Sequence, residues 1–289
     1  MLHTLKCDLC KSIVNIGFFA AVITTVILCF TADAYIDSSN EKIYSFFEAI
    51  FALDRTVISS EISMASVIVF RKALTGFIRL FMPIIAAFPF MVSFCSERNS
   101  GFMRFTIARS GRTAYCISKF LSAVISGGLA VTAGVLLFGI AAALIFPPLS
   151  SYADNTEMLS IILPSGAFVT VIKVFASAFI YGAAAVLPAF FLSSFCRNPY
   201  IITCIPFLLT YIWDTALNKL NSAYIESGEY EKARVLMPFY PDSLAQIFFG
   251  EGFGYAEVTA LIANAVYFVS ALTGFIIIMN RRVDNAEHQ

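Results

Sequence analysis

The chain has 289 residues, of which 59% are hydrophobic and 13% charged, with a mean hydropathy of +0.81. That composition excludes an ordinary water-soluble globule and describes a chain solvated by lipid. Nineteen Lys and Arg offset nineteen Asp and Glu, so net charge carries no information about partners and no nucleic-acid partner is expected.

A hydrocarbon core of about 30 Å takes about 20 helical residues. Six stretches meet or approach that length, which predicts an all-α polytopic fold, a single transmembrane domain over 1–289. The first span is expected at 12–32, after Lys6 and Lys11. Ala32-Asp33-Ala34 resembles a signal-peptidase site, but the apolar run exceeds the roughly 7–15 residues of a signal core, so it reads as an uncleaved anchor. Cys7 and Cys10 form a C-x-x-C without a second pair to complete a zinc or redox site. A long connection follows to Thr75, in which Tyr44–Leu53 reads as an amphipathic, interfacial helix. The second span, 76–95, contains Pro83 and Pro89 and carries Arg79 about one turn in.

The loop Ser96–Lys119 holds five cations against the single acid Glu97. Ser100 is placed to cap a short helix reaching about Arg109, which Ser110-Gly111 ends. Phe102, Met103, Phe105 and Ile107 give that helix an apolar side, with Arg104 and Arg109 polar. Such a helix suits either docking on a soluble partner or contact with anionic lipid. The third span, 119–146, repeats small residues four apart: Ala123/Gly127, Ala130/Gly134 and Gly139/Ala143, a spacing that lets helices approach closely. The fourth, 166–195, holds Lys173 and Pro188. The fifth, 200–217, is short and contains Pro206. The sixth, 255–279, contains Asn264.

Lys and Arg in alternate connections set the orientation. One set has ten, concentrated in short segments, and the other seven, spread over far longer loops. Both termini are therefore expected in the cytoplasm, with short amphipathic helices in the outer loops.

Absences narrow the chemistry. Gly134 and Gly139 have the glycine spacing of a phosphate-binding loop, but Ile140 and Ala141 stand where Lys and Ser or Thr are needed. Only His3 and His288 exist, so a histidine metalloprotease site is excluded and no metal is expected. The spans contain no midplane carboxylate for ion coupling and no clustered nucleophile and base for catalysis. Two intramembrane cations, Arg79 and Lys173, either snorkel to outer headgroups or face a pathway that attracts an anionic or zwitterionic headgroup. Asn264 either joins helices or meets substrate.

At the loop 96–119 the sequence resembles the membrane subunits of ATP-binding-cassette exporters of the second type. The matching features are Glu97 and Gly101 just after the second span and Lys119 opening the third, with Arg109, Gly111, Arg112 and Tyr115 in a similar setting. Met237-Pro-Phe-Tyr-Pro-Asp242 resembles the family's proline-containing segment before the last span. The stretch before the first span is about 11 residues, which implies an abbreviated interfacial helix there. The resemblance implies a bacterial plasma-membrane protein that pairs with a second membrane subunit, identical or homologous, and with two copies of an ATPase subunit. ATP and Mg would then sit on that partner, with no cofactor in this chain. Glu97, Gly101, Phe102, Arg104, Phe105 and Arg109 would couple to the ATPase, and an amphiphilic peptide, antibiotic or lipid-like molecule would be exported. Arg79, Lys173 and Asn264 are the candidate pathway residues. The competing expectation is a non-transport immunity or sensory protein that binds a peptide or lipid through its outer loops.

Overall fold

The structure is a computed structural model that describes residues 2–37, 42–152, 156–241, 243, 245, 248 and 254–287. α1 (Leu2–Ile13) lies almost wholly before the span expected at 12–32, most of which α2 (Ile16–Cys29) occupies, and the two helices meet at 55°. The break is local: Asn15 is extended, with φ −141° and ψ 147°, and its side chain accepts the Gly17 N–H to cap α2. α1 spans 12 residues.

The chain then forms an antiparallel hairpin, β1 (Asp33–Asp37) with β2 (Lys42–Ser45), in which Tyr35 opposes Tyr44. This hairpin was not anticipated from hydropathy. α3 (Phe46–Ala52) occupies most of the amphipathic stretch, started by a capping box between Ser45 and Glu48. Its Phe46 buries against Phe138 and Phe146, whereas Phe47 and Phe51 stay exposed. α4 (Arg55–Ser60) follows, and α5 (Ser66–Arg71) buries Ile68, Val69 and Phe70.

α6 (Ile78–Asn99), α7 (Phe102–Ser110) and α8 (Arg112–Ile145) follow, so the third long helix begins ahead of the expected 119. α9 (Thr156–Ile162) lies in the next connection, where the Ile162 carbonyl accepts from Arg71. The fourth expected span is two helices, α10 (Ala167–Ala185) and α11 (Leu187–Ser193), because Pro188 cannot donate to the Ala184 carbonyl one turn back. α12 (Pro199–Glu226) extends the expected 200–217 well into the connection beyond it. α13 (Tyr230–Leu236), a single turn at Met237–Phe239 and α14 (Gly254–Glu287) complete the chain. Asp242 of the proline-containing segment lies outside the described residues. Among the described residues, five helices are long and apolar enough to cross a membrane, or six spans when α1 and α2 count as one. The chain is thus a helical polytopic membrane protein.

α8 is the central helix and packs on α1, α2, α5, α6 and α10. Because lipid tails are as apolar as leucine, helices in a bilayer are held by close packing more than by apolar transfer. The small residues of α8 provide that packing, but towards different neighbours. A Cβ on Gly127 would stand 2.9 Å from the Ala86 carbonyl oxygen of α6, and one on Gly134 would stand 2.4 Å from Thr25 Cβ of α2. One apolar cluster gathers round Phe70 and Phe138 towards the hairpin, and another round Phe90, Phe94, Phe190 and Phe275 towards α7.

Candidate functional site

At the α7 end of the bundle, four charged side chains form one chain of ion pairs. Lys119 Nζ lies 2.8 Å from Asp8 Oδ1 and 2.5 Å from Glu97 Oε2, and Lys11 Nζ lies 2.8 Å from Glu97 Oε1. The side chain of Lys119 is only 2% exposed, with Asp8 at 6% and Glu97 at 10%. Two cations and two anions leave the cluster neutral, the condition under which such charges tolerate burial. Ser118 Oγ donates to Asp8 Oδ2 at 2.7 Å, and the Ser12 and Ser122 hydroxyls meet at 3.1 Å. Both contacts join residues 110 apart in sequence, so α1 runs beside the first turns of α8 in the same direction.

The sequence fits this arrangement. Asp8 and Ser12 are four apart on α1, as are Ser118 and Ser122 on α8, and residues at that spacing share a helix face. Each helix presents a polar pair to the other. The matching periodicity of the two pairs was the available signal for Asp8, which sequence reasoning missed. Glu97 and Lys119, by contrast, were singled out separately as landmarks of the loop, and the fold brings them into contact.

The same network frames α7. Gly101 precedes it at φ 74° and Gly111 follows it at φ 83°, backbone conformations that favour glycine. Gly101, not Ser100, is the N-cap; the Ser100 hydroxyl instead donates to the Glu97 carbonyl and closes α6. The apolar residues of α7 divide between two directions. Met103 and Ile107 pack on the bundle, while Phe102 is 50% and Phe105 76% exposed. Arg104 and Arg109 are exposed as well. Lys11 Nζ stands 5.2 Å from the centre of the Phe102 ring, so one lysine touches both Glu97 and α7. Next to Glu97, Arg98 donates to the carbonyls of Ser193, Ser194 and Cys196, fastening the end of α11 to the end of α6. The outcome is a short helix with an exposed aromatic and basic surface on a rigid base.

The pathway candidates separate. Arg79 and Asn264 line one cavity of about 580 Å³ between α6, α10, α11, α12 and α14, bordered by residues 238–241. Lys173 lies away from it, donating to Ser165 Oγ at 2.8 Å. Five of the chain's ten prolines line this cavity: Pro83, Pro188, Pro206, Pro238 and Pro241. Pro83 leaves the Arg79 carbonyl without its helical donor, and the Tyr181 hydroxyl supplies one at 3.2 Å. Trp213 Nε1 donates to the Phe239 carbonyl at 2.9 Å and pins the proline segment to α12.

At the amino terminus, Cys7 Sγ and His3 Nδ1 lie 3.6 Å apart on α1, yet no three ligands gather into a metal site among the described residues. A scan against protein-family models finds no match to the chain, and a search of characterised proteins finds no similar sequence.

Proposed function

We propose that this chain is the membrane subunit of an ATP-binding-cassette exporter of the second type. On this reading the α7 end faces the cytoplasm of a bacterial cell with both termini, two ATPase subunits dock there carrying ATP and Mg, and a second membrane subunit completes the complex. The observation that carries the proposal is α7 itself. A nine-residue helix, bounded by positive-φ glycines, turns Phe105 and two arginines outwards while a buried ion network anchors its base. A lever needs those two properties: an exposed surface for a moving partner, and a stiff joint to the spans. An external energy source also suits a chain whose sequence holds no phosphate-binding loop of its own.

The second reading, a non-transport immunity or sensory protein, draws support from the hairpin end, where Ile36, Ile43, Phe47 and Phe51 are more than half exposed. One experiment separates the two. The tagged chain is purified from its native cell in mild detergent, and bound proteins are identified by mass spectrometry. A stoichiometric cassette ATPase supports the exporter. Its reproducible absence from an intact complex refutes the exporter and leaves the binding protein.

A further inference from the structure

The outer face of α1 carries a cluster that the ion network does not use. Cys7 and Cys10 are both exposed, and His3 Nδ1 lies 3.6 Å from Cys7 Sγ. His3, Cys7 and Cys10 follow one another at four and three residues, a spacing that puts all three on one side of the helix. Lys6 and Lys11 are exposed with them, whereas Asp8 and Ser12 meet α8. A helix face that bears two lysines and a histidine is turned towards water. A thiol reacts as its thiolate. With Nδ1 unprotonated, the imidazole accepts the Cys7 thiol proton, and a second cysteine stands one turn on to complete an exchange. Cys29, Cys95 and Cys116, by contrast, are buried.

We infer that Cys7 and Cys10 form an exchange site for low-molecular-weight disulfides, in which Cys7 attacks, His3 is its base and Cys10 resolves. His3 takes the Cys7 proton, the thiolate attacks one sulfur of the external disulfide, and the S–S bond of that disulfide breaks. The departing thiolate takes the proton from His3, leaving Cys7 in a mixed disulfide. Cys10 then attacks Cys7 Sγ, and the second external thiol leaves with the Cys10 proton. The external disulfide is reduced to two thiols, and the two protein thiols are oxidised to one disulfide. The exchange has a structural consequence. Cβ atoms three residues apart on a helix are about 5–6 Å apart, against about 3.8 Å across a disulfide, so oxidation tightens the turn that contains Asp8. That residue holds Lys119 and Ser118, and the oxidised site loosens α1 from α8. The inference is independent of the exporter reading, because the exchange needs no ATPase.

The purified full chain in phosphatidylcholine nanodiscs is incubated with glutathione disulfide and read by peptide mass spectrometry. The parent is expected to lose about 2 Da on the peptide that holds Cys7 and Cys10, the mark of an internal disulfide. C10S is expected to stop at the mixed disulfide, a gain of about 305 Da on Cys7. C7S should gain the same mass on Cys10 about tenfold more slowly, and H3A combined with C10S should slow Cys7 about tenfold, through loss of the base. Equal rates in C10S and C7S, or a Cys7 rate untouched by H3A, overturn the inference. So does a parent chain that ends with a stable adduct on each cysteine. Amide hydrogen exchange over residues 8–12 reads the consequence: it should quicken on oxidation of the parent and stay unchanged in the C7S/C10S double variant. Unchanged exchange in the oxidised parent overturns the link to the ion network.

Discussion

The ion chain at the base of α7 is most directly tested by Lys119→Met. Lys119 makes contacts of 2.8 and 2.5 Å to two carboxylates, each about 6 kcal/mol of Coulomb attraction at an effective dielectric of about 20. Most of that is offset by desolvation of the buried ions. The net cost of removing one partner therefore follows the range for broken buried pairs, about 3–5 kcal/mol. The size of that loss alone would not distinguish an ionic unit from a well-packed lysine stem, so the second variant matters more. In Asp8→Asn with Lys119→Met, the remaining charges are Glu97 and Lys11, which still pair at 2.8 Å. The double variant should be about 1–3 kcal/mol more stable than the sum of the two single losses implies, the coupling expected within one network. Stability would be read from dodecyl sulfate unfolding of the purified chain in mixed micelles, followed by helical circular dichroism. If the double variant is as unstable as the sum of the two single ones, the four charges are not a unit and the argument for a stiff joint falls.

Three further outcomes follow from the packing and the site. Gly134→Leu places side-chain atoms where Thr25 already stands, and in the same unfolding assay it should cost about 1–3 kcal/mol, with Gly134→Ala at the lower end. Tyr181→Phe removes the hydroxyl that serves the Arg79 carbonyl and should lower stability by about 1 kcal/mol; no change would mean that the carbonyl is satisfied otherwise. Phe105→Ala and Arg109→Glu alter exposed side chains of α7. Their stability should stay within about 0.5 kcal/mol of the parent, while capture of the proposed ATPase weakens about tenfold, as for loss of an interface anchor. Unchanged capture by both would remove α7 from the docking surface.

What was legible in the sequence follows from local rules. Long apolar runs predict membrane helices because unsatisfied backbone groups are too costly in lipid, and the structure places long apolar helices over five of the six expected stretches. Gly111 ends α7 as anticipated, since a glycine past a short polar helix supplies a backbone conformation that others avoid. Pro83 and Pro188 announced local weakness in their helices, and the break at Val186 shows what that weakness permits.

The remainder depended on distance in the chain. Asn15 caps α2 and sets it off from α1, but hydropathy averages over a window and is blind to one capping residue. β1 and β2 are too short to give a periodic signal and exist through their mutual pairing. The apolar residues of α7 divide between bundle and surface because α6 and α8 fix how the helix is rolled, which its own composition does not.

Composition and periodicity by themselves determined that this chain is a bundle of membrane helices, because the cost of bringing a peptide group into lipid is paid or avoided within each segment. Only the tertiary structure decided that Asp8 meets Ser118 and Lys119, and that Arg79 shares a cavity with Asn264 while Lys173 does not. Those pairings join residues far apart in sequence, and which helices become neighbours is set by the fit of their surfaces, a property of the assembled bundle rather than of any one segment.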